Sequence, residues 1–449
     1  MQPVPVSGAV APPLAAIENC LVPFCRAPQQ FLLERAHTHG PVAIYRLGDE
    51  LFASVSDPEI AHAVFHGGMA DFEKGPLYDV VRFLFGDGVF TAEREDWTSQ
   101  HAVIAPMFTR PRNQRLTSTI ADLTAQQADR WRRLGDHEDD AVLVAMKRLA
   151  FDVVSIGLFS MHDSGQRTAL FDEMYGLERR PLVSFTYLRH RVPLNQLAAI
   201  VDRGDNSVKA ATIRADEMLY ALADQRLASH DQADDVIGAL MASAFMRELS
   251  PERRRVVLRD SIGSLLTAGY VSTGESMFWA LYQLARHPDA QARARAEVLA
   301  ARGPLVDASP YLAAVLNESL RLYPPAWFIG RTTRRAMQLG GVDIPAGTQV
   351  VCSPFVLHRS PALWPNPDAF SPERFLPGST MVARSFIPFG SGPRACIGRA
   401  LSLMEMTSLV SATLAAFDLE LPSDAPVTLT GSYSMQTREP VPLRLRPRS

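Results

Sequence analysis

A ten-residue segment, Phe389-Gly-Ser-Gly-Pro-Arg-Ala-Cys-Ile-Gly398, constrains what this chain can fold into more than any other feature. It places Cys396 among three glycines and directly ahead of a run with helical periodicity. Glycine lets a backbone turn tightly and approach a flat ligand closely. A cysteine at the start of a helix lies near the positive end of the helix dipole, which favours thiolate over thiol. The segment therefore predicts a tight loop that presents a reactive cysteine.

The surroundings of Cys396 decide between a reactive and an inert thiol. Arg394, two residues earlier, is placed to reach an anionic group on a ligand. For a lone cysteine, a buried and inert thiol would be the better interpretation, but five fixed residues at this spacing argue against it. Cys20, Cys25 and Cys352 form neither a zinc spacing nor a C-x-x-C redox motif. Four thiols in 449 residues fit a reducing compartment better than a disulfide scaffold.

Composition places the chain among ordinary globular proteins. Hydrophobic residues make up 47% and charged residues 21%, and the net charge of −3 predicts no global attraction to nucleic acid or to an anionic membrane. Among the basic residues only Lys74, Lys147 and Lys209 are lysines, which we attribute to codon usage. The N-terminus has no basic start before an apolar run and no stretch of about 20 apolar residues. We therefore expect a cytoplasmic protein without signal peptide or membrane anchor.

Periodicity predicts a mainly helical chain with small sheets at two ends. Strand-like residues around Gly48-Asp49 predict a hairpin over 41–56, and helical patterns dominate from about 91 to 300. The longest helical pattern runs from Arg253 to His287, between Pro251 and Pro288. Further on, the patterns predict short strands over 339–354, an ordered loop over 361–395, a last helix over 397–417 and short strands over 427–446.

The segment 389–398 resembles the haem-binding signature of cytochrome P450 enzymes, F-x-x-G-x-R-x-C-x-G, at all five fixed positions. The resemblance implies the mainly α (α+β) fold of that family, with haem b (iron protoporphyrin IX) between a long distal helix and the helix behind the cysteine loop. It implies that Cys396 is the axial thiolate ligand of the iron. The resemblance also makes Phe389, Gly392, Arg394 and Gly398 cofactor-binding residues. We expect one domain over 1–449, with a Pro- and Ala-rich lead over 1–30 and no fused reductase.

Two further segments fit the same family. Glu318-Ser-Leu-Arg321 matches its E-x-x-R motif, and Phe370-Ser-Pro-Glu-Arg-Phe375 matches a third partner segment that supplies Arg374. Residues three apart share a helix face and can pair. The resemblance implies a buried, structural Glu318–Arg321–Arg374 network, and we interpret His358-Arg359 as structural too.

Three residues are candidate ligands of the haem propionates. Related enzymes place a tryptophan and a basic residue four positions apart, as Trp97 and His101 are here, although many relatives have arginine at the second position. Arg331 matches a further propionate-binding arginine. The alternative for the first two is a core tryptophan beside a surface histidine.

The distal segment departs from the family pattern. It reads Ala268-Gly-Tyr-Val-Ser-Thr273, where the family usually has a small pair, an acid and two threonines. The resemblance makes Ala268, Gly269, Ser272 and Thr273 catalytic, with the small pair expected to let the helix open. Val271 replaces the acid that normally relays protons. Glu275, one turn later, either substitutes through water or is a solvated residue; the second interpretation is favoured. The direction of the Tyr270 hydroxyl is open.

The resemblance implies a monooxygenase that uses O2 and two electrons to hydroxylate a hydrophobic small molecule, such as a terpenoid, polyketide or peptide of secondary metabolism. The electrons would come from a separate ferredoxin or flavodoxin. The chain itself is expected to be a monomer. Arg110, Arg112, Arg115 and Arg399 either dock that partner or form a solvated basic face. Predicted substrate contacts lie in Phe72–Phe90, Val183–Leu197, Leu265–Ala268, Ala326–Ile329 and Ser432–Met435.

Two alternatives to hydroxylation stay open. Val271 motivates an atypical oxidation that needs less proton delivery, such as oxidative coupling, desaturation or a peroxide-driven reaction. A haem-thiolate sensor without enzymatic turnover is the other alternative, and the small pair Ala268-Gly269 argues against it.

Overall fold

The computed structural model describes residues 17–448 except 135–136, 140, 179–207, 230–232, 302–308, 380–382, 423–426, 430–433 and 438. Most of the described residues lie in helices. In chain order the helices are α1 (Leu21–Arg26), α2 (Pro28–His39), α3 (Pro58–His66), α4 (Asp79–Phe85), α5 (Arg94–Ile104), α6 (Arg110–Arg115), α7 (Thr117–Leu134), α8 (Ala141–Phe159), α9 (Ser164–Glu178), α10 (Val208–Ser229), α11 (Val236–Ala242), α12 (Ala244–Arg247), α13 (Pro251–Arg286), α14 (Pro288–Ala300), α15 (Pro310–Leu322), α16 (Pro354–Leu357) and α17 (Arg399–Ala416).

Ten short strands form three small sheets in the described part of the chain. They are β1 (Val42–Leu47), β2 (Glu50–Val55), β3 (Phe72–Glu73), β4 (His137–Asp139), β5 (Ile329–Thr333), β6 (Met337–Leu339), β7 (Val342–Ile344), β8 (Gln349–Cys352), β9 (Phe417–Glu420) and β10 (Leu443–Pro447). The largest sheet has the order β1-β2-β8-β5-β3; β4-β10-β9 and β6-β7 form the others. The mainly α fold with small sheets is thus confirmed.

The predicted hairpin is present, with β1 antiparallel to β2 from the pair Val42–Val55 to the pair Leu47–Glu50. Strand β2 also pairs in parallel with β8, which brings segments about 300 residues apart into one sheet. The strands predicted over 339–354 are present as parts of β6, β7 and β8. Among the described residues of the tail, β10 is a strand, and Leu429 and Thr437 form an isolated β-bridge.

Helix α13 is the long helix that the sequence predicts, with its ends shifted by one or two residues. It has 36 residues and is about 54 Å long at 1.5 Å per residue. Pro251 is its first residue rather than a boundary outside it, because proline suits the first helical position. The Ser250 hydroxyl accepts from the Arg253 N–H at 3.3 Å. At the other end Pro288 disfavours helical backbone at His287.

The axis of α13 lies close to that of α8, and Gly274 permits the approach. A Cβ built on Gly274 would lie 2.7 Å from the Lys147 Cα, so a larger residue would force the two backbones apart. The last predicted helix is present as α17, which packs against α7 and α13. Residues 21–30, which the sequence analysis assigned to a lead, form α1 and the start of α2, and Leu21 is buried.

Candidate active site

Cys396, for which the sequence predicts a thiolate, lies three residues before the first residue of α17. The pKa of its thiol is raised, because burial outweighs the backbone N–H groups of Gly398 and Arg399 and the Arg399 charge, which lower it. The Cys396 N–H donates to the Phe389 carbonyl at 2.9 Å, which closes the loop. The Cys396 side chain is exposed although protein surrounds it on most sides. It therefore faces an internal space rather than the outer surface.

The tight loop before Cys396 requires glycine at two positions. Gly390 has φ +68° and Gly392 has φ +73°, a region that residues with a Cβ rarely adopt. A Cβ on Gly392 would also lie 2.3 Å from the Phe65 carbonyl oxygen at the end of α3. The glycines of the motif thus serve close packing of the loop as well as its turn.

The structure brings the predicted propionate ligands together. Arg394 donates to the Ala92 carbonyl at 2.7 Å and to Glu93 Oε2 at 3.0 Å, and its guanidinium lies 4.2 Å from the Trp97 ring centroid. The rings of Trp97 and His101 lie 4.7 Å apart on α5. Burial and the Arg394 charge lower the pKa of His101. His101 is therefore a half-buried member of this site rather than a surface histidine.

Lys74 is a member of the site that the sequence analysis missed. Its side chain is buried, and its Nζ lies 4.8 Å from the Tyr78 ring centroid and 4.7 Å from that of Phe90. Burial lowers the pKa of Lys74 well below its usual range, and the charges of Arg394 and Arg331 lower it further. The one available signal was that Lys74 is a rare lysine in an arginine-rich chain.

These charges test whether the site fits a haem. Burial lowers the pKa of Arg394 as well. The charge of Glu93 raises that pKa, and the charge of the buried Arg331 lowers it further. Lys74 and Arg394 thus each lie near other basic groups, with Arg331 beside both and Arg82 also near Lys74, and Glu93 is the one carboxylate named in these effects. A ligand with two carboxylates, such as the two propionates of haem, would neutralise that excess. The residues fit the group.

Helix α13 is buried from Val257 to Ala285 except at Ala268, Gly269 and Ser272. These three small residues therefore border an internal space. The Ser272 hydroxyl donates to the Ala268 carbonyl at 2.7 Å. The neighbouring Thr273 is buried and donates to Ser402 of α17 at 3.2 Å, so its hydroxyl points away from that of Ser272.

Helix α13 is continuous through 268–273, and the expectation that the small pair lets it open beside bound oxygen stays a prediction. Gly269 permits close packing against α8, because a Cβ there would lie 2.7 Å from Val154 Cγ2. Tyr270 points into an aromatic cluster, with its ring centroid 5.7 Å from that of Phe151. It is buried and belongs to the core between α8 and α13.

Val271 and Glu275 are both buried. The favoured interpretation of Glu275 as a solvated residue was wrong. Its carboxylate accepts from Lys147 of α8 at 3.0 Å and from the Ser434 hydroxyl at 2.8 Å. Periodicity could not show this, because Lys147 is 128 residues away in the chain.

A model of the cytochrome P450 family matches residues 14–445 of this chain. The chain belongs to the cytochrome P450 family. Cyclooctatin synthase and cyclooctat-9-en-7-ol 5-monooxygenase, both of Streptomyces melanosporofaciens, are each 30% identical to it. The alignments cover 86% and 87% of this chain and 84% of each relative. The retinoic acid-bound cyanobacterial CYP120A1 has the same fold, with a TM-score of 0.79 at 23% identity over 92% of this chain and 93% of that one.

Membership confirms the cofactor and the enzyme class. The family consists of haem-thiolate enzymes, so the cofactor is haem b with a cysteine thiolate and the chain is a cytochrome P450 monooxygenase. Within the part of the chain that the structure describes, every helix is too short or too polar to cross a membrane.

The P450 E-x-x-R motif forms a buried network of ion pairs and hydrogen bonds. Arg321 donates to both carboxylate oxygens of Glu318, at 2.7 and 2.8 Å, and neither side chain is exposed. Arg374 donates to Glu318 Oε1 at 3.3 Å. Arg321 also donates to the carbonyls of His358, Pro367 and Ala369, at 2.6–3.0 Å.

His358 joins this network to the cysteine loop as a neutral imidazole. Its Nε2 accepts from the Ile387 N–H at 3.0 Å, and Nδ1 lies 3.1 Å from the Arg321 carbonyl. Nδ1 therefore carries the proton and donates. Burial lowers the pKa of His358 to about 3, and the charges of Arg321 and Arg359 contribute to that shift.

The predicted substrate segments are only partly described. Val183–Leu197 and residues 432–433 lie outside the described residues. Trp327 and Met435 are buried, and the Trp279 indole N–H of α13 donates to the Met435 carbonyl at 3.1 Å. This bond holds the 434–436 segment against α13.

Replacement of Lys74 by methionine tests the cation site. We expect the haem affinity of Lys74→Met to fall about tenfold, since hydrogen bonds to charged groups contribute about 1.5–3 kcal/mol. We expect the haem-free protein to be at least as stable as wild type, because a buried and repelled charge is lost. Haem titration and urea unfolding of the haem-free protein measure the two quantities.

Arg94→Met is the control, since Arg94 is an exposed cation that pairs with Glu73 at 3.6 Å. Equal haem affinity in both variants would contradict the assignment.

Proposed function

We propose that Cys396 is the thiolate ligand of the haem iron and that the enzyme inserts one atom of O2 into a hydrophobic small molecule. One observation carries the proposal: the Cys396 side chain is exposed although protein surrounds it on most sides, and the backbone N–H groups of Gly398 and Arg399 offset part of the effect of burial on its thiol. Bound haem would supply activation of O2, favoured by electron release from its thiolate ligand.

The chain's own residues would hold and orient the cofactor. Lys74, Arg331 and Arg394 would bind the propionates by charge, and Trp97 and His101 by N–H donation. Phe389, Gly392 and Gly398 would shape the loop under the cofactor. Ala268 and Gly269 leave room for O2 on the distal helix, and Ser272 offers a hydroxyl there.

The substrate is proposed to be a largely apolar product of secondary metabolism. Two relatives are named for cyclooctatin and for cyclooctat-9-en-7-ol, and the structural neighbour holds retinoic acid. Phe90 is 40% exposed and lies beside the Lys74 ammonium, so the segment before α5 offers an aromatic surface next to the haem site. A terpenoid is the class that these features favour.

Electrons are proposed to come from a separate acidic ferredoxin or flavodoxin that docks near α17. Arg110 and Arg399 are exposed. Arg112 and Arg115 both pair with Asp234, at 2.5 and 2.8 Å, which reduces their share in docking. The proposed surface is therefore centred on Arg399.

Isotope labelling tests the reaction. With 18O2, a reductase, a ferredoxin and cyclooctat-9-en-7-ol as the first probe, we expect a product that carries one 18O atom. Ser272→Ala should lower product formed per electron about tenfold or more, because positioned proton-transfer groups contribute about 10²–10⁴-fold. Thr273→Val is the control, since its hydroxyl is bound to Ser402. Equal coupling in wild type and Ser272→Ala would contradict a role for Ser272.

Val271 favours a second candidate function, an oxidation without oxygen insertion. Its apolar side chain is buried where many relatives carry an acid. Desaturation or oxidative coupling would yield a product without 18O in the same experiment. A product with one 18O would eliminate this candidate for the probe used.

A further inference from the structure

Three ionisable side chains from three helices meet in the interior beside the distal segment. Lys147 of α8 contacts Glu178, the last residue of α9, and donates to Glu275 of α13 at 3.0 Å. None of the three side chains is more than 2% exposed. The Lys147 ammonium also lies 6.0 Å from the ring centroid of Tyr175 on α9.

The segment 434–436 completes this cluster. Ser434 donates to Glu275 Oε1 at 2.8 Å, and Gln436 donates to Glu178 Oε1 at 2.6 Å. The remaining oxygens, Glu178 Oε2 and Glu275 Oε2, are buried and have no hydrogen-bond partner among the described residues. A buried carboxylate oxygen without a donor is costly, so a purely structural network would be expected to satisfy both.

The charges of the cluster do not balance. One ammonium faces two carboxylates in a dry site, so one negative charge is left without a balancing cation. Burial raises the pKa of Glu275, Lys147 lowers it in part, and Glu178 raises it again, to about 7. Burial alone would lower the pKa of Lys147, but the two carboxylates raise it above its usual value, so the ammonium stays charged.

Glu275 is directed toward the distal segment by the geometry of α13. It lies three residues after Ser272 and seven after Ala268, so the three share one helix face. Side chains three apart have Cβ atoms about 5–6 Å apart. Helical side chains lean toward the helix N-terminus, which brings the Glu275 carboxyl toward the turn of Ser272. Ser272 in turn borders the internal space.

We propose that Glu275, held beside Lys147 and Glu178, forms a buried proton store that supplies the Ser272 hydroxyl during oxygen activation. This inference rests on the proposed function. Hydroxylation of R–H consumes O2, two electrons and two protons, and it yields R–OH and water. The cluster provides a proton donor about one helical turn from Ser272, although Val271 cannot act as one.

The transfer is a simple exchange of protons. Glu275 Oε2 has no hydrogen-bond partner among the described residues and the Ser272 hydroxyl donates to the Ala268 carbonyl, so one water must bridge the two groups. The O–H bond on Glu275 Oε2 breaks as its proton binds this water, the water gives one of its own protons to Ser272 Oγ, and the original Ser272 proton ends in the water molecule that the reaction yields. The carboxylate left on Glu275 is stabilised by the Lys147 ammonium and the Ser434 hydroxyl. The proton returns from solvent on the side of Gln436, the partly exposed member of the cluster.

Infrared spectroscopy of the resting enzyme detects the stored proton without turnover. We expect a protonated-carboxyl band that disappears as the pH rises through about 7 and that is absent from Glu275→Gln. Glu405→Gln is the matched control, because Glu405 is a buried carboxyl of α17 whose pKa is raised well above its usual value by burial. It should lose a different band and leave the Glu275 band in place. A spectrum of Glu275→Gln identical to that of wild type would overturn the proposal.

Turnover separates proton supply from a structural role. In Glu275→Gln we expect product formation from O2 and electrons to fall at least about tenfold, with electrons lost to hydrogen peroxide. Turnover supported by added hydrogen peroxide should change less than twofold, since peroxide brings its own protons with its oxygen. Glu405→Gln should leave both activities unchanged. Equal loss of both activities in Glu275→Gln, or of neither, would overturn the proton store.

The two proposals fail in different ways. A wild-type protein without the carbon monoxide spectrum of a thiolate-bound haem would refute the proposed function. A wild-type protein with that spectrum, whose Glu275→Gln variant retains both the titrating band and full coupling, would overturn the proton store alone.

Discussion

Reduced wild-type protein exposed to carbon monoxide should show the red-shifted absorption of thiolate-ligated haem, and Cys396→Ala should lose it completely. The backbone N–H groups of Gly398 and Arg399 favour the ionised sulfur at position 396, and alanine offers no donor atom to iron. Haem content and the absorption spectrum after reduction are the measurements. We expect product formation by Cys396→Ala to be undetectable.

Cys352→Ala is the matched control for this experiment. Cys352 is a buried cysteine of β8, and burial raises the pKa of its thiol to about 12, so it stays protonated. The variant should keep the red-shifted band. A wild-type protein that lacks the band would refute ligation by Cys396, and a Cys396→Ala variant that retains it would assign the ligand to another residue.

Loss of Arg321 should have the largest effect on stability. Arg321→Leu leaves the carboxylate of Glu318 unexposed, and among the described residues its remaining donors are the Ser371 N–H at 2.8 Å and Arg374 at 3.3 Å. Breaking a buried ion pair on one side costs about 3–5 kcal/mol. Three carbonyls, those of His358, Pro367 and Ala369, also lose a donor. We expect the free energy of unfolding to fall by at least that amount, measured by urea denaturation of the haem-free and haem-bound protein.

An exposed pair of the same chemistry controls for the loss of charge. Arg293 and Glu373 lie 3.1 Å apart, and each side chain is about half exposed. Arg293→Leu should change the free energy of unfolding by at most about 1 kcal/mol, because water screens the pair. A small effect for Arg321→Leu, similar to that of Arg293→Leu, would show that the network does not stabilise the fold.

Short-range spacing made much of this protein predictable. The cysteine loop, the E-x-x-R helix, the 42–55 hairpin and α13 each depend on residues close together in the chain, so periodicity, glycine and proline could reveal them. The position of Arg394 two residues before Cys396 and the resemblance to the cytochrome P450 family, which named Trp97, His101 and Arg331, pointed to residues that the structure places around one group of charges. Helix ends shifted by one or two residues because caps and prolines decide them locally.

Tertiary structure decided how the charges inside the protein are partnered. Lys74 is an unremarkable lysine in the sequence, and only burial beside Arg331 and Arg394, more than 250 residues away, makes it a candidate anion ligand. The helical pattern around Glu275 is the same whether its side chain is buried or solvated. Its partners Lys147, Glu178 and Ser434 come from three distant segments of the chain. The sequence by itself therefore determined the cysteine loop and the family. Burial and long-range pairing set the free energy of keeping each buried side chain charged. They determined the excess of cations near Cys396 and the excess of carboxylates near Ser272.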